Sequence, residues 1–398
     1  MFPQKYNVLI VGSGGREHAL GWKLTESPFA GKVHYAEGNG GTFPNVNIKP
    51  HELSRLVSFA KEHECFTVVG PEGPLAKGLA DLFITEGLSV LGPTKDAALL
   101  ESSKAFAKHF MKENNIPTAN FRTFSTLEDA KDYVLGQTNQ LVIKADGLAA
   151  GKGVFVCDTH EEALAALDLI MLKKAFGNAG KKIIVEDRLF GEEASFIALC
   201  DGRTLIPFVS SKDHKRLLDN DLGPNTGGMG SYSPSTLIDS RLEKRIMREI
   251  MEPTIKGMRR MGKPFKGFLY AGLIIDNVRK EPYALEFNVR MGDPECQAIM
   301  MRLKSDLLGY LKAASEEKLE SMDPFKWKSE PSVCVVMAAK GYPGSYETGK
   351  LIRGANSCFG GDIKIFHAGT KRVATNRVLT KGGRVLDVCA LGTTINEA

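Results

Sequence analysis

The chain has 398 residues, 43% hydrophobic and 25% charged, with 52 Lys and Arg against 47 Asp and Glu. That length predicts roughly two to four domains, and the balance is that of an ordinary globular protein. A net charge of +5 with no block of like charges gives no reason to expect nucleic acid and suits small anionic substrates.

Asn7 to Val11 is a short apolar run followed by GSGGREHAL and an amphipathic stretch to Glu26, which predicts strand, Gly-rich turn and helix. The turn begins like G-x-G-x-x-G with Gly12 and Gly14, but the third position is Glu17. The dinucleotide fingerprint therefore fails where a glycine would let helix and strand pack closely. What remains is a helix N-terminus whose backbone N–H groups, beside Arg16 and His18, predict an anion site; a tight turn needing glycine for its dihedrals alone is the alternative. Strand, helix, strand, helix, strand follow over Val33–Ala36, Pro50–Glu62, Thr67–Gly70, Pro74–Glu86 and Leu88–Leu91. This alternation predicts a parallel sheet with helices on both faces, occupying residues 1–102. GPEGPL, at Gly70–Leu75, lies where ligands of open α/β sheets collect.

Ser102–Asn115 reads as a helix carrying Lys104 and Lys108, and Thr126–Gly136 as a second. The strand Leu141–Lys144 then runs into ADGLAAGKG. This is not a Walker A loop: three residues separate Gly147 from Gly151, Gly153 follows Lys152, and a strand-like VFVC comes next instead of a helix. Strand, small-residue turn, strand describes a flap that closes over phosphates, with an ordinary flexible hairpin as the plain alternative.

After a helix over His160–Lys173 and a strand over Lys182–Glu186 come two hairpins, Glu193–Cys200 with Thr204–Val209 and Phe268–Asp276 with Pro282–Val289. Sequential hairpins predict an antiparallel α+β sheet. Between them lie a long polar stretch, SSKDHKRLLDNDLGPNTGGMGSYSP, and a helix over Asp239–Met261. The polar stretch is expected to be a functional loop. On the strand ending LEFNVRMGDPE, Glu286, Asn288 and Arg290 share one face while Leu285, Phe287 and Val289 face a core. Carboxylate, amide oxygen and guanidinium together suit a Mg²⁺–polyphosphate complex, although a solvent-facing edge strand would read the same way.

Helices over Asp293–Arg302 and Ser305–Glu317 precede a Pro-marked boundary at Asp323–Pro331. Strands at Val333–Ala339, Ile363–Gly369 and Gly382–Leu391 then predict a small β-rich domain. The seven cysteines, Cys65, Cys157, Cys200, Cys296, Cys334, Cys358 and Cys389, are scattered and never in CxxC, which predicts buried thiols in a reducing compartment. With no signal-peptide pattern and no apolar run of spanning length, a cytoplasmic, membrane-free protein is expected.

Lys104, Lys144 before a Gly-rich flap, Glu186 and Glu193, and Glu286-x-Asn288 resemble the nucleotide site of the ATP-grasp superfamily. GSGGREHAL, GPEGPL, KADGLAAGKG, GEEASF, DHKR with GPNTGGMG, GFLYAGL, EFNVRMGDPE, KGYPG and HAGT together resemble the glycinamide ribonucleotide synthetase family over almost the whole chain. The resemblance implies an α/β and α+β multidomain protein: a doubly wound parallel domain at 1–102, an ATP-grasp domain at 103–327 with a mobile lobe near 120–189, and a β-rich domain at 328–398. Family members continue for about one more helix and a basic segment past TTINEA, which leaves open that the last domain is truncated.

The implied activity is ATP-dependent ligation of glycine to 5-phosphoribosylamine through glycyl phosphate, in purine biosynthesis. Lys104, Lys144, Gly147, Gly151, Lys152, Glu186, Leu189 and Glu193 would hold ATP, and Glu286 with Asn288 would hold Mg²⁺ or Mn²⁺. Gly14, Gly15, Arg16, Glu17, Asp213, His214, Lys215, Asn225, Thr226, Gly227 and Arg290 would bind the other substrates. Arg290, Lys144 and Asp213 would serve catalysis. A monomer or weak dimer without a nucleic-acid partner is expected. The rivals are a ligase using formate or bicarbonate, an NAD-dependent oxidoreductase built on the first domain, and a non-catalytic nucleotide-binding module. The absent third glycine speaks against the second, and the full set of phosphate and metal ligands against the third.

Overall fold

The computed structural model describes residues 5–149, 152–355, 360–375 and 377–398; Gly151, expected above as an ATP contact, and Cys358 lie outside them. Five parallel strands form the first sheet, in the order Asn45–Val46, Ala30–Glu37, Tyr6–Gly12, Cys65–Val69, Val90–Leu91. On the central strand Val8 and Ile10 pack with Leu20 and Leu24 of the helix Gly15–Thr25, while Leu9 and Val11 pack with Leu56 and Ala60 of Leu53–Glu62. Helices cover both faces, so this strand is apolar and buried from Val8 to Val11. The single helix expected over Pro74–Glu86 is two, Glu72–Ala76 and Leu79–Thr85, because Gly78 between them adopts φ +85°, a conformation glycine takes without steric cost. Ser103 likewise divides Leu99–Ser102 from Lys104–Glu113: extended at φ −135°, it caps the second helix by accepting the Phe106 N–H at 3.1 Å.

A separate antiparallel sheet, ordered Phe121–Phe124, Ile183–Asp187, Leu141–Ala145, Val154–Cys157, carries the flap. It has its own core, including Val134, Ile143, Leu167 and Ile170. The third sheet contains both expected hairpins, in the order Leu205–Pro207, Glu192–Asp201, Lys266–Ile275, Pro282–Asn288. The helical run from Ser240 to Arg260 covers one face, and Glu295–Arg302 with Leu307–Ser315 the other. Phe287 and Val289 are buried as expected, but Leu285 is only half-buried. The register slips there, with Glu286 opposite Gly272 and Ala284 opposite Leu273. This bulge turns the strand locally.

The polar stretch expected as one irregular loop is largely paired. Arg216–Leu218 forms a ladder with Leu222–Asn225. Lys212–Asp213 and Gly230–Ser233 enter a five-stranded sheet with Ser332–Ala338, Arg384–Leu391 and Ile363–His367. A further sheet joins Leu351–Ile352, Arg377–Thr380 and Thr370–Ala374. The six described cysteines are free and buried. Among the described residues no helix is long and apolar enough to cross a membrane.

Candidate active site

The strand Pro282–Asn288 and the turn after it form the floor of the site. Glu286 makes no hydrogen bond or ion pair among the described residues, yet its carboxyl is held below the usual range. Burial alone would raise it, and Lys215, Lys104, Lys144 and Arg290 together outweigh that. An ionised carboxylate ringed by cations but bonded to none retains its oxygens for another ligand. Asn288 Oδ1 accepts Arg290 Nη2 at 3.1 Å, which leaves one lone pair. One carboxylate and one amide oxygen are hard donors that fit Mg²⁺ or Mn²⁺.

Arg290 is gripped from two directions. Its Nε meets Glu72 Oε2 at 3.2 Å, within GPEGPL, and its Nη2 meets Glu101 Oε1 at 2.9 Å. Glu101 also accepts the Val289 N–H at 2.7 Å. Burial pushes this carboxyl up to about 7 against the pull of Arg290, with Glu72 and Glu286 adding to the rise. Neither glutamate was expected from the sequence; the place of Glu72 at a strand's carboxyl end is the one hint.

Lys108 and Lys144 both pair with Glu186 Oε2 at 2.9 Å, all three buried. Glu186 is 2% exposed, and its other oxygen, Oε1, has no partner among the described residues. Burial lowers Lys108 to about 8. Its spacing of four from Lys104 was the available signal that both face the same way. Lys104 Nζ donates to the Gly147 carbonyl at 3.1 Å. The base of the flap is pinned by Asp146, whose Oδ1 accepts from Ser103 Oγ at 2.9 Å and from the Ala105 N–H at 2.8 Å. At the tip, Lys152 Nζ reaches the Pro343 carbonyl at 3.3 Å. Leu189 lies in the irregular segment after Ile183–Asp187, its backbone N–H without a partner among the described residues.

Glu193 Oε2 pairs with Lys215 Nζ at 2.9 Å. Burial would lower the Lys215 ammonium, but Asp213 and Glu193 raise it well above its ordinary value. Burial pushes Asp213 up to about 7, opposed by Lys215 and reinforced by Glu295 and Glu193. Thr226 closes back on the Lys215 carbonyl through its N–H at 2.7 Å and its hydroxyl at 2.8 Å. His214 is exposed, its ring centroid 6.0 Å from that of Tyr232. Asn225, also exposed, sits in the ladder opposite Arg216.

The Gly-rich turn requires a correction. The Gly14 N–H is not free: it donates to Glu17 Oε2 at 2.5 Å. Burial would raise the nearby Asp293 carboxyl, but Arg384 and Arg16 lower it more. Glu17 occupies space that glycines leave open, since a Cβ on Gly70 would lie 1.9 Å from its Oε1 and one on Gly12 2.6 Å from its Cγ. The residue that breaks the dinucleotide pattern is thus the residue the glycines accommodate. Arg16 pairs with Glu17 at 2.6 Å and donates to the Met291 carbonyl at 3.1 Å. Gly15 is buried against Asp387, where a Cβ would lie 1.7 Å from Oδ2. Gly14 instead lines a cavity of about 280 Å³ with Ser13, Asn39, Asp293, Thr370 and Lys381.

Lys104 and Lys108 from one helix and Lys144 from the flap sheet, gathered about the strand that carries Glu286, define an ATP-grasp protein. Family models described as the phosphoribosylglycinamide synthetase N domain, ATP-grasp (A) domain and C domain match residues 6–101, 102–296 and 332–398. Curated phosphoribosylamine–glycine ligases are similar over nearly the full length. That of Yersinia pestis is 48% identical, covering 98% of this chain and 92% of the relative, and that of Escherichia coli K12 is 49% identical with the same coverage. The crystal structure of the Thermotoga maritima phosphoribosylamine–glycine ligase aligns with TM-score 0.82 at 35% identity, over 98% of this chain and 94% of that one. The biotin carboxylase domain of Hydrogenobacter thermophilus 2-oxoglutarate carboxylase aligns at TM-score 0.73 and 16% identity, over 98% and 87% of the two chains, which shows a shared fold alone. The chain belongs to the phosphoribosylglycinamide synthetase family.

Proposed function

We propose that this site joins glycine to 5-phosphoribosylamine with hydrolysis of ATP to ADP and phosphate, and that the residues just described carry the reaction. The protein is an ATP-dependent carbon–nitrogen ligase of purine biosynthesis, as its family is. The observation that carries the residue-level reading is Glu286, ionised among four cations and bonded to none of them.

A carboxylate is inert toward an amine. A glycine carboxylate oxygen therefore attacks the γ-phosphorus, ADP leaves, and glycyl phosphate forms. The amine of 5-phosphoribosylamine attacks the acyl carbon, the carbon–oxygen bond to phosphate breaks, and the nitrogen loses a proton. The protein mainly positions these groups and neutralises charge. Glu286 and Asn288 would hold Mg²⁺ or Mn²⁺, which when bound neutralises the β- and γ-phosphate oxygens. Lys104, Lys144, Lys152 and the flap backbone at Gly147 and Gly151 would take the phosphates. Glu186 Oε1 and the Leu189 N–H, without partners among the described residues, are an acceptor and donor suited to an adenine edge, and Glu193 is suited to the ribose hydroxyls. Arg290, fixed by Glu72 and Glu101, would steady the transferred phosphoryl group, and Asp213, poised near neutrality, would accept the amine's proton.

Lys215, His214, Asn225, Thr226 and Gly227 would border the acyl phosphate, and the flap would exclude water from it. With its own N–H occupied by Glu17, Gly14 would serve by lining the cavity. The ribose hydroxyls would meet Asp293 and the phosphate would lie toward Lys381, while Gly15, Arg16 and Glu17 would support the wall.

We divide the chain at 1–102, 103–327 and 328–398, with the moving lobe at about 120–189. Small-molecule substrates, a cytoplasmic location and a monomeric or weakly dimeric state complete the reading. The deciding experiment measures ADP formation with glycine, formate or bicarbonate, each with and without 5-phosphoribosylamine. Full turnover should need both glycine and the amine; equal ADP release with formate would refute this assignment.

A further inference from the structure

The C-terminal segment reaches the substrate loop through two side chains. The Gly227 N–H donates to the Tyr342 hydroxyl at 2.9 Å, and the Gly227 carbonyl accepts from Arg384 Nη1 at 2.6 Å. The same Nη1 donates to the Asp293 carbonyl at 2.6 Å, in the turn that follows the metal-binding strand. A Cβ on Gly227 would lie 3.1 Å from the Arg384 guanidinium carbon and 3.2 Å from the Tyr342 hydroxyl. One on Gly383 would lie 2.3 Å from the Tyr342 ring, so that ring rests directly on backbone. Gly227 is exposed. Its polar groups could be satisfied by water in any conformation, and instead both are taken by side chains more than a hundred residues away in sequence. Two such bonds select one conformation of the loop from those that water would serve equally.

That conformation has consequences in the site. Gly227 follows Thr226, which is bonded twice to the Lys215 carbonyl, and Lys215 pairs with Glu193 and faces Glu286. The neighbouring Pro343 carbonyl meets Lys152 at the flap tip. We propose that Tyr342 and Arg384 are positioning residues that hold the loop 215–228 closed over the acyl phosphate, so that the C-terminal segment completes the water-excluding wall of the site. The inference rests on the ligase reading above and adds a specific consequence. When the loop opens, water competes with the amine for glycyl phosphate, and ADP is made without product.

The test is the ratio of ADP released to ligated product in the full-length protein, with thermal unfolding measured alongside. Losing one neutral hydrogen bond lowers the closed-to-open ratio by about five-fold. Tyr342→Phe should therefore raise the ADP-to-product ratio by about two-fold or more, without lowering the unfolding temperature and with the ATP KM unchanged. Arg384→Ala should raise the ratio further, and Arg384→Lys should partly restore it. Because Tyr342→Phe removes only one hydroxyl, it keeps the test open if Arg384→Ala fails to fold. A variant with slower turnover but wild-type coupling would overturn the inference. Absence of ligated product from the wild-type protein would instead overturn the ligase reading.

Discussion

Replacing Lys108 by Met should make the protein more stable and a poorer binder of nucleotide. Lys108 is 2% exposed and shares Glu186 Oε2 with Lys144, so two ammonium groups face one carboxylate and the buried cluster carries a net positive charge. Burial depresses Lys108 from 10.5 to about 8. At about 1.36 kcal/mol per unit, this corresponds to a cost of roughly 3 kcal/mol for keeping it charged in the folded state. The cost is fully present below the folded pKa and disappears as pH rises toward the unfolded value, because between the two the unfolded chain binds more protons. Met has a similar length and no charge to bury, and Glu186 keeps Lys144. Thr118 loses only a donor to its hydroxyl and still donates to the Ala284 carbonyl at 2.6 Å. Replacing a buried charge in this way is commonly neutral or stabilising. Nucleotide-free denaturant unfolding at pH 7 should show a gain of up to about 3 kcal/mol, shrinking as pH is raised from 8 to 10.5. ATP affinity should fall by about ten-fold, or roughly 1.4 kcal/mol. Glu186→Ala is the contrasting variant. It leaves two buried ammonium groups without their carboxylate and should cost about 3–5 kcal/mol. Equal destabilisation by both substitutions would refute the reasoning that the second lysine is surplus to the fold.

Glu286→Gln should abolish ligation with the fold intact, because an anionic metal ligand is lost while no described ion pair is broken; wild-type turnover at ordinary Mg²⁺ would remove Glu286 from the metal site. Without nucleotide, the amides of Ala149 and Lys152 should exchange faster than those of Val142 and Ile143 in the adjoining strand, which is paired on both sides. A non-hydrolysable ATP analogue should slow the flap amides selectively, and equal protection in both states would identify a static turn.

Much of the site's floor was legible locally. Side chains alternate along a strand, so the common face of Glu286 and Asn288 follows from spacing, whereas Arg290, past the strand's end, reaches Asn288 from the turn. The flap was legible for the same reason: small residues between two apolar runs describe a turn, and the continuation excluded a helix. The gaps concern partners. The turn at Gly14 has the backbone expected of an anion site, yet the Glu17 carboxylate already takes the Gly14 N–H. The polar stretch after Ser210 carries no apolar alternation, so its pairing with Ser332–Ala338 could not be read from its own residues.

The amino-acid sequence by itself determined the order of the apolar elements and the chemical character of the faces they present. These depend on near neighbours, through backbone dihedrals and apolar periodicity. Tertiary structure alone decided which charges meet. Arg290 is oriented by Glu72, 218 positions earlier, and Val289 by Glu101, 188 positions earlier. Buried ions are held by whichever distant groups the packing of separate elements brings within a few ångströms, and no local pattern records that choice.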